Sequence, residues 1–254
     1  MAFQLYKSEV SGSFYSWRGA AWIVAASMIF SLVAYLLLTD KELSLLDQGE
    51  MLFTLGEIII SLGIIMATTS ASSAISAEIE SGTFESLLLT PITARQIAFQ
   101  KLLSIVTTWL LLYVVSIPYL VAVSSGTNLS ISAVFYVGLY GTLLVIAFSS
   151  LTITFSSKLK SSKNSVMISL MILLIMLAPS LFFATSLKKT GFGTAIEDIN
   201  PVSHAMNSLD SVLVDNQQTL PEQAIHILPV VIFTIVCLLI LTNYTRRFEV
   251  KPIE

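Results

Sequence analysis

Charge is what this chain has least of. Asp, Glu, Lys and Arg make up 11% of its residues, against about 25% in an ordinary soluble domain. With 55% hydrophobic residues and a mean hydropathy of +0.84, that scarcity excludes a water-soluble globule and points to an integral membrane protein. Cysteine is almost absent too. The single one, Cys237, stands in an apolar run, so no disulfide framework can form within the chain, and the thiol reads as a small hydrophobe. His204 and His226 are the only histidines. They are far from the short spacing of a local metal-ligand motif, so each reads as structural or superficial, and no metal is expected. Also missing are a Gly-rich loop ending in Gly-Lys-Ser/Thr, a His-Glu-x-x-His and a Gly-x-Ser-x-Gly. Without them the chain should not bind ATP by a phosphate loop, and an intramembrane enzyme has no nucleophile, base or metal constellation to work with. The net charge of −3 and the lack of a basic tail give no footing for nucleic acid.

What is present is six apolar runs, each near the ~20 residues that cross a bilayer. They fall at Gly19–Leu38, Met51–Ala77, Leu102–Val123, Ile131–Phe155, Val166–Leu187 and Ala224–Tyr244. The first exceeds a signal-peptide core and runs into Leu38-Thr39-Asp40-Lys41 without a small-residue cleavage site, so it reads as a retained anchor. The expected fold is all-α, one polytopic domain over residues 1–254. Residues 1–18 mix aromatics with Lys7, Glu9 and Arg18, which suits an interfacial helix. The second run is too long for a core of about 30 Å, since its length as a helix is roughly 40 Å. It should project into water at its Glu78 end.

Lys and Arg set the orientation. With the N-terminus inside, the inner segments hold Lys7, Arg18, Arg95, Lys101, Lys158, Lys160, Lys163, Arg246, Arg247 and Lys251, and the outer ones only Lys41, Lys188 and Lys189. This positive-inside bias places both termini, the Glu78–Lys101 block and the Ser156–Ser165 loop in the cytoplasm, in a cell membrane. The outer segments are acidic, with Asp40, Glu42, Asp47, Glu50, Glu197, Asp198, Asp210, Asp215 and Glu222. They either attract a cationic substrate or partner, or are simply what the inside bias leaves behind. Small residues at Ser27, Ser31 and Ala34, and at Gly63, Ala67, Ser70, Ala71 and Ala74, form helical stripes that read as close packing. Thr68, Thr69, Ser72 and Ser73 could instead line a substrate path together with Glu57, the one acid well inside a run, which could equally reach the outer interface. Pro118 and Pro179 interrupt the third and fifth runs. In the outer loop 188–223, Val202, Met206, Leu209 and Leu213 recur at helical spacing behind Asn200-Pro201. One amphipathic helix against the outer mouth is expected there.

The most punctuated stretch is Glu78–Lys101. Gly82 breaks what precedes it. Phe84, Leu87 and Leu88 then share one face of a short helix, with Glu85 and Ser86 on the other. Thr90-Pro91 ends that helix, and Thr93 with Gln96 fits a capping box that starts the next. A short amphipathic helix between two membrane spans must lie at the water interface, in the headgroups or against a soluble partner.

The pattern Glu78-x-Glu80-x-Gly82-Thr83-x-Glu85-x-Leu87-Leu88-x-Thr90-Pro91-x-Thr93-x-x-x-Ile97-x-x-x-Lys101 resembles the signature of ABC-2-type transporter permeases. Six spans, an interfacial N-terminal helix and the outer Asn-Pro agree with it over essentially the whole chain. The chain is most similar to the small permeases of the copper-enzyme-maturation and sodium-export types. The resemblance implies that helix 83–89 is a coupling helix docking in a groove of a separate ATP-binding subunit. Phe84, Leu87 and Leu88 would give apolar contact. Glu78, Glu80 and Glu85 would pair with that subunit, brace the turn or, for Glu80 above all, simply be solvated. Gly82 and Pro91 would set the turns on either side, Thr83 and Thr90 would belong to the docking surface, and Lys101 would anchor the next helix at the inner interface. ATP and magnesium would belong to the partner. It further implies a dimer of permease subunits, homo- or heteromeric, with export as the expected direction. The alternative is a mechanical transmitter acting on an extracytoplasmic partner without moving a solute.

Overall fold

The computed structural model describes residues 17–39, 47–83, 93–125, 127–159, 161–182, 190–215 and 220–249. Every regular element among them is helical. In chain order these are α1 (Trp17–Thr39), α2 (Gln48–Ser72), α3 (Ser76–Glu80), α4 (Ala94–Val123), α5 (Leu129–Leu159), α6 (Ser162–Phe182), α7 (Gly191–Ile199), α8 (Pro201–Leu213) and α9 (Leu220–Glu249). Six stretches are long and apolar enough to span a bilayer: Gly19–Thr39, Gln48–Glu80, Ala94–Val123, Leu129–Leu159, Ser162–Pro179 and Glu222–Thr245. The six expected spans are therefore all present, and the chain is a multi-pass membrane protein. The N-terminal interfacial helix over 1–18 falls almost wholly outside the described residues.

The spans α2 and α5 run side by side through the middle, with α4, α6 and α9 around them and α1 at the edge against α4 and α2. Burial follows this order. Leu52, Leu55, Ile59, Ile60 and Ile64 of α2 and Tyr140, Leu144 and Val145 of α5 are fully enclosed. Met28, Leu32 and Tyr35 of α1 and Ile232, Ile235 and Leu239 of α9 face outward. Lipid is as apolar as these side chains, so their exposure costs little, and helix association must rest on close contact and hydrogen bonds.

Close contact centres on Trp109 of α4. Its ring lies in a slot between Gly63 of α2 and Gly141 of α5. A Cβ at either glycine would stand 2.2 or 2.3 Å from the indole. The indole N–H donates to Thr142 Oγ1 at 3.1 Å. One turn on, Tyr113 stacks on Trp109 at 5.8 Å between centroids, covers Gly138 and donates its hydroxyl to the Val134 carbonyl. Missing side chains on α2 and α5 thus admit the bulk of α4. The stripe expected on α2 is only partly inside: Gly63, Ala67 and Ala71 are buried, whereas Ser70 is exposed. On α1 the expected stripe is rotated. Ser31 is exposed, and the buried line is Ala26, Phe30, Ala34 and Leu37. Phe30 meets Tyr119 edge-on at 6.0 Å, and that bulk turns the helix. Ser27 keeps a contact through a 3.0 Å hydrogen bond with Tyr119 Oη.

Several boundaries differ from the expected ones. The second span is interrupted at residues 73–75 and resumes as α3. The third begins at Ala94, because the capping box starts the helix eight residues before hydrophobicity does: Thr93 Oγ1 accepts from Gln96 N at 3.3 Å and Gln96 Oε1 from Thr93 N at 3.1 Å. The fourth continues to Leu159, so the serines read as a loop from Ser156 are the last turn of α5. Helices α4 and α6 continue through Pro118 and Pro179. The outer loop holds two helices in place of one. Asn200 both ends α7 and, through its side chain, accepts from Val202 N at 3.0 Å to start α8, with Pro201 in the first helical position. The anticipated face is the buried one: Val202, Met206, Leu209 and Leu213 are all enclosed. Helix α8 packs against α2, α5, α6 and α9.

Adding a methyl group at Gly63 or Gly141 should overpack the indole slot and destabilise the protein by about 1–3 kcal/mol. Thermal unfolding of Gly63→Ala and Gly141→Ala in detergent measures this. A midpoint equal to that of the unaltered protein would show that Trp109 is free to move aside.

Candidate functional site

The 78–101 block is built from α3 outward. Helix α3 has five residues, too few to stand on its own hydrogen bonds, so its neighbours must hold it. Three do.

The first is α5. Where α2 breaks, Ile75 N and Ser76 N both donate to Ser156 Oγ, at 3.2 and 3.0 Å. Ser156 is fully buried, and its hydroxyl replaces the carbonyl acceptors that an unbroken helix would supply. Ser72 and Ser76 turn their own hydroxyls back onto the carbonyls of Thr69 and Ser72, at 2.7 and 3.0 Å. Ser156 and Ser162 hydroxyls lie 3.1 and 3.2 Å from Ser76 Oγ. The second neighbour is α6. Glu80 Oε1 accepts from Ser162 N at 2.9 Å, placing a carboxylate on the N-terminus of α6, where backbone donors and the helix dipole favour it. The third is α4. Lys101 Nζ meets Glu78 Oε1 at 2.6 Å, with the lysine 6% and the glutamate 21% exposed. Lys101 therefore anchors α4 to α3.

Helix α3 ends at Glu80 with Ser81 as its cap, and Gly82 follows with a φ of 71° in the left-handed region. No neighbour would meet a Cβ there, so glycine is required by the backbone alone. Ser81 Oγ and Thr83 Oγ1 donate to the Glu78 carbonyl at 3.2 and 3.3 Å and lie 2.8 Å from each other, so side chains occupy an acceptor at the helix end. The chain next becomes described at Thr93. Phe84, Glu85, Leu87, Leu88, Thr90 and Pro91, and with them all of helix 83–89 except Thr83, lie outside the described residues. Beyond them Arg95 is exposed and its guanidinium sits 5.6 Å from the Phe99 ring centroid.

Glu80 is thus not a merely solvated acid, and Glu78 has an intrachain partner. The sequence signs that could have shown this are faint: two acids separated by one residue, a lysine on the next helix, and a serine cluster read as loop.

The residues grouped as a substrate path are not together. Glu57 lines a cavity of about 170 Å³ with Phe53, Glu197, Ser203, Met206, Asn207 and Asp210. Thr68, Thr69, Ser72 and Ser73 stand at the C-terminal end of α2, the nearest of them about 16 Å along the helix from Glu57. Thr69 Oγ1 donates to the Ile65 and Met66 carbonyls at 2.9 Å, Ser73 is the cap residue of α2, and Thr68 and Ser72 are buried within the chain.

His204 and His226, read as separate, are neighbours: their Nδ1 atoms are 3.4 Å apart. The outer end is further tied by Tyr140, which donates to Ser208 Oγ at 2.6 Å. Ser208 donates to Gln223 Oε1, and Gln223 Nε2 donates to Ser211 Oγ at 3.1 Å.

Two outcomes follow from this geometry. Ser156→Ala leaves two buried N–H groups without an acceptor and should cost about 1–3 kcal/mol. Faster amide exchange at residues 75 and 76 would accompany it, and unchanged exchange there would contradict the role given to Ser156. Lys101→Met removes the ion pair with Glu78 and should destabilise the protein by about 1–3 kcal/mol. Adding Glu78→Gln should recover most of that loss, and a double variant whose losses simply add would mean that the two side chains are not coupled.

A family model described as ABC-2 family transporter protein matches residues 2–251 of the chain. No curated protein matches it.

Proposed function

Because this chain belongs to the ABC-2 family of transporter proteins, and so is a membrane-spanning permease subunit of an ATP-binding-cassette transporter, we propose that the 78–101 block is where its ATP-binding subunit docks and delivers work. The chain carries no phosphate loop of its own, so energy from ATP and magnesium must arise in that subunit. In this reading helix 83–89 enters a groove of the ATPase. Phe84, Leu87 and Leu88 supply the apolar contact and Glu85 an ion pair. Gly82 and Pro91 set the turns on either side, and Thr83 and Thr90 belong to the docking surface.

The observation that carries the reading is the attachment of α3. A displacement arriving from residues 84–92 enters a five-residue helix bonded to α4 through Lys101, to α5 through Ser156 and to α6 through Ser162. Three spans are therefore moved from one point. Glu78 and Glu80 work on the inner side of that link as braces and leave the contact with the ATPase to the residues beyond Gly82. Two such subunits with two ATP-binding subunits would alternate between packings of small energy difference, with both chain termini on the cytoplasmic side of the cell membrane and export as the direction.

Glu85→Lys combined with Leu88→Asp tests the docking. The double variant should reach the membrane at normal levels and lose ATP-dependent function by about tenfold or more, with the ATPase no longer co-purifying. Full coupled activity with the ATPase retained would exclude this surface.

A further inference from the structure

His204 of α8 and His226 of α9 face each other at the outer end of the bundle. Their Nδ1 atoms are 3.4 Å apart and their ring centroids 5.7 Å. The other nitrogen of His204, Nε2, lies 3.0 Å from the carbonyl oxygen of Asp198. A carbonyl can only accept, so Nε2 carries the hydrogen and Nδ1 of a neutral His204 presents a lone pair toward His226.

That separation is long for a hydrogen bond. It equals the spacing of two nitrogens on one tetrahedral ion, where bonds of about 2.0–2.1 Å span about 3.3–3.4 Å. A metal-bound imidazole also commonly donates its remaining N–H to a backbone carbonyl, which fixes ring and tautomer. Asp198 gives His204 that support. We propose that His204 and His226 form an open two-imidazole site for a divalent cation of the zinc–copper class on the outer face. Imidazole suits these ions over magnesium or calcium. Among the described residues no third His, Cys, Asp or Glu completes a cluster, so water fills the remaining positions and the ion is exchangeable.

On binding, His226 carries its hydrogen on Nε2 and offers Nδ1 to the ion, a tautomer change that leaves the ring neutral. Glu222 lies one turn before His226 on α9, and Glu197 and Asp198 close α7. These acids raise the local concentration of cations without ligating. The bound ion joins α8 to α9. This inference is independent of the docking reading, since it concerns the opposite end of the bundle.

The test uses the full chain in lipid nanodiscs. Cu2+ titrated into it should give an electron paramagnetic resonance spectrum with coupling to two imidazole nitrogens. Zn2+ should bind once per chain by calorimetry and raise the thermal midpoint. His204→Gln and His226→Gln should each weaken Zn2+ at least about tenfold and leave a one-nitrogen Cu2+ spectrum. No binding to the unaltered chain, a one-nitrogen spectrum in it, or equal affinity in the double variant would overturn the site. The unaltered chain alone decides the matter should either variant fail to fold.

Discussion

The hydroxyl of Ser156 is the constraint on which the α3 end of this protein depends. A span of 33 residues from Gln48 to Glu80 is far longer than a bilayer requires. It breaks near its C-terminal end, and backbone donors at a break inside a membrane protein must find an acceptor. Ser156 provides one for both Ile75 and Ser76. The cost of leaving those donors unmet makes the break a fixed joint, and it places α3 where Glu78 and Glu80 can reach α4 and α6.

The two ends of the bundle are held by different means. In the middle, bulk from α4 fills glycine slots on α2 and α5, a contact whose strength is dispersion at close range. At the inner end, short hydroxyl and carboxylate contacts bind a five-residue helix to three spans. At the opposite end, α8 packs against α2, α5, α6 and α9 through apolar residues and the Tyr140–Ser208–Gln223 chain. A stiff centre with polar joints at either end suits a device that transmits displacement, because polar contacts can exchange partners at a smaller cost than a filled slot can be emptied.

Much of this was legible from residues alone, where the cause is local. Hydrophobicity located six spans, because a bilayer demands length and little else. The Thr93–Gln96 box and the Asn200-Pro201 start are made within one turn, so sequence suffices for them. What could not be read depends on residues far apart in the chain. The break after Ser72 has no glycine or proline to announce it, since its cause lies about 80 residues away on α5. Glu80 and Ser162, like His204 and His226, are joined only once the helices stand side by side. The rotation of the α1 stripe follows from the bulk of Phe30, which a pattern of small residues does not record.

The central claim is that motion at the inner edge enters α3 and passes together into α4, α5 and α6. Amide hydrogen exchange on the assembled transporter, with and without ATP, tests it most directly. The account predicts that protection changes at residues 74–82, 156–163 and the first turns of α4 in concert, while the Trp109 slot stays protected. A change confined to residues 84–92, with the turn around Ser156 and Ser162 indifferent to ATP, would contradict it.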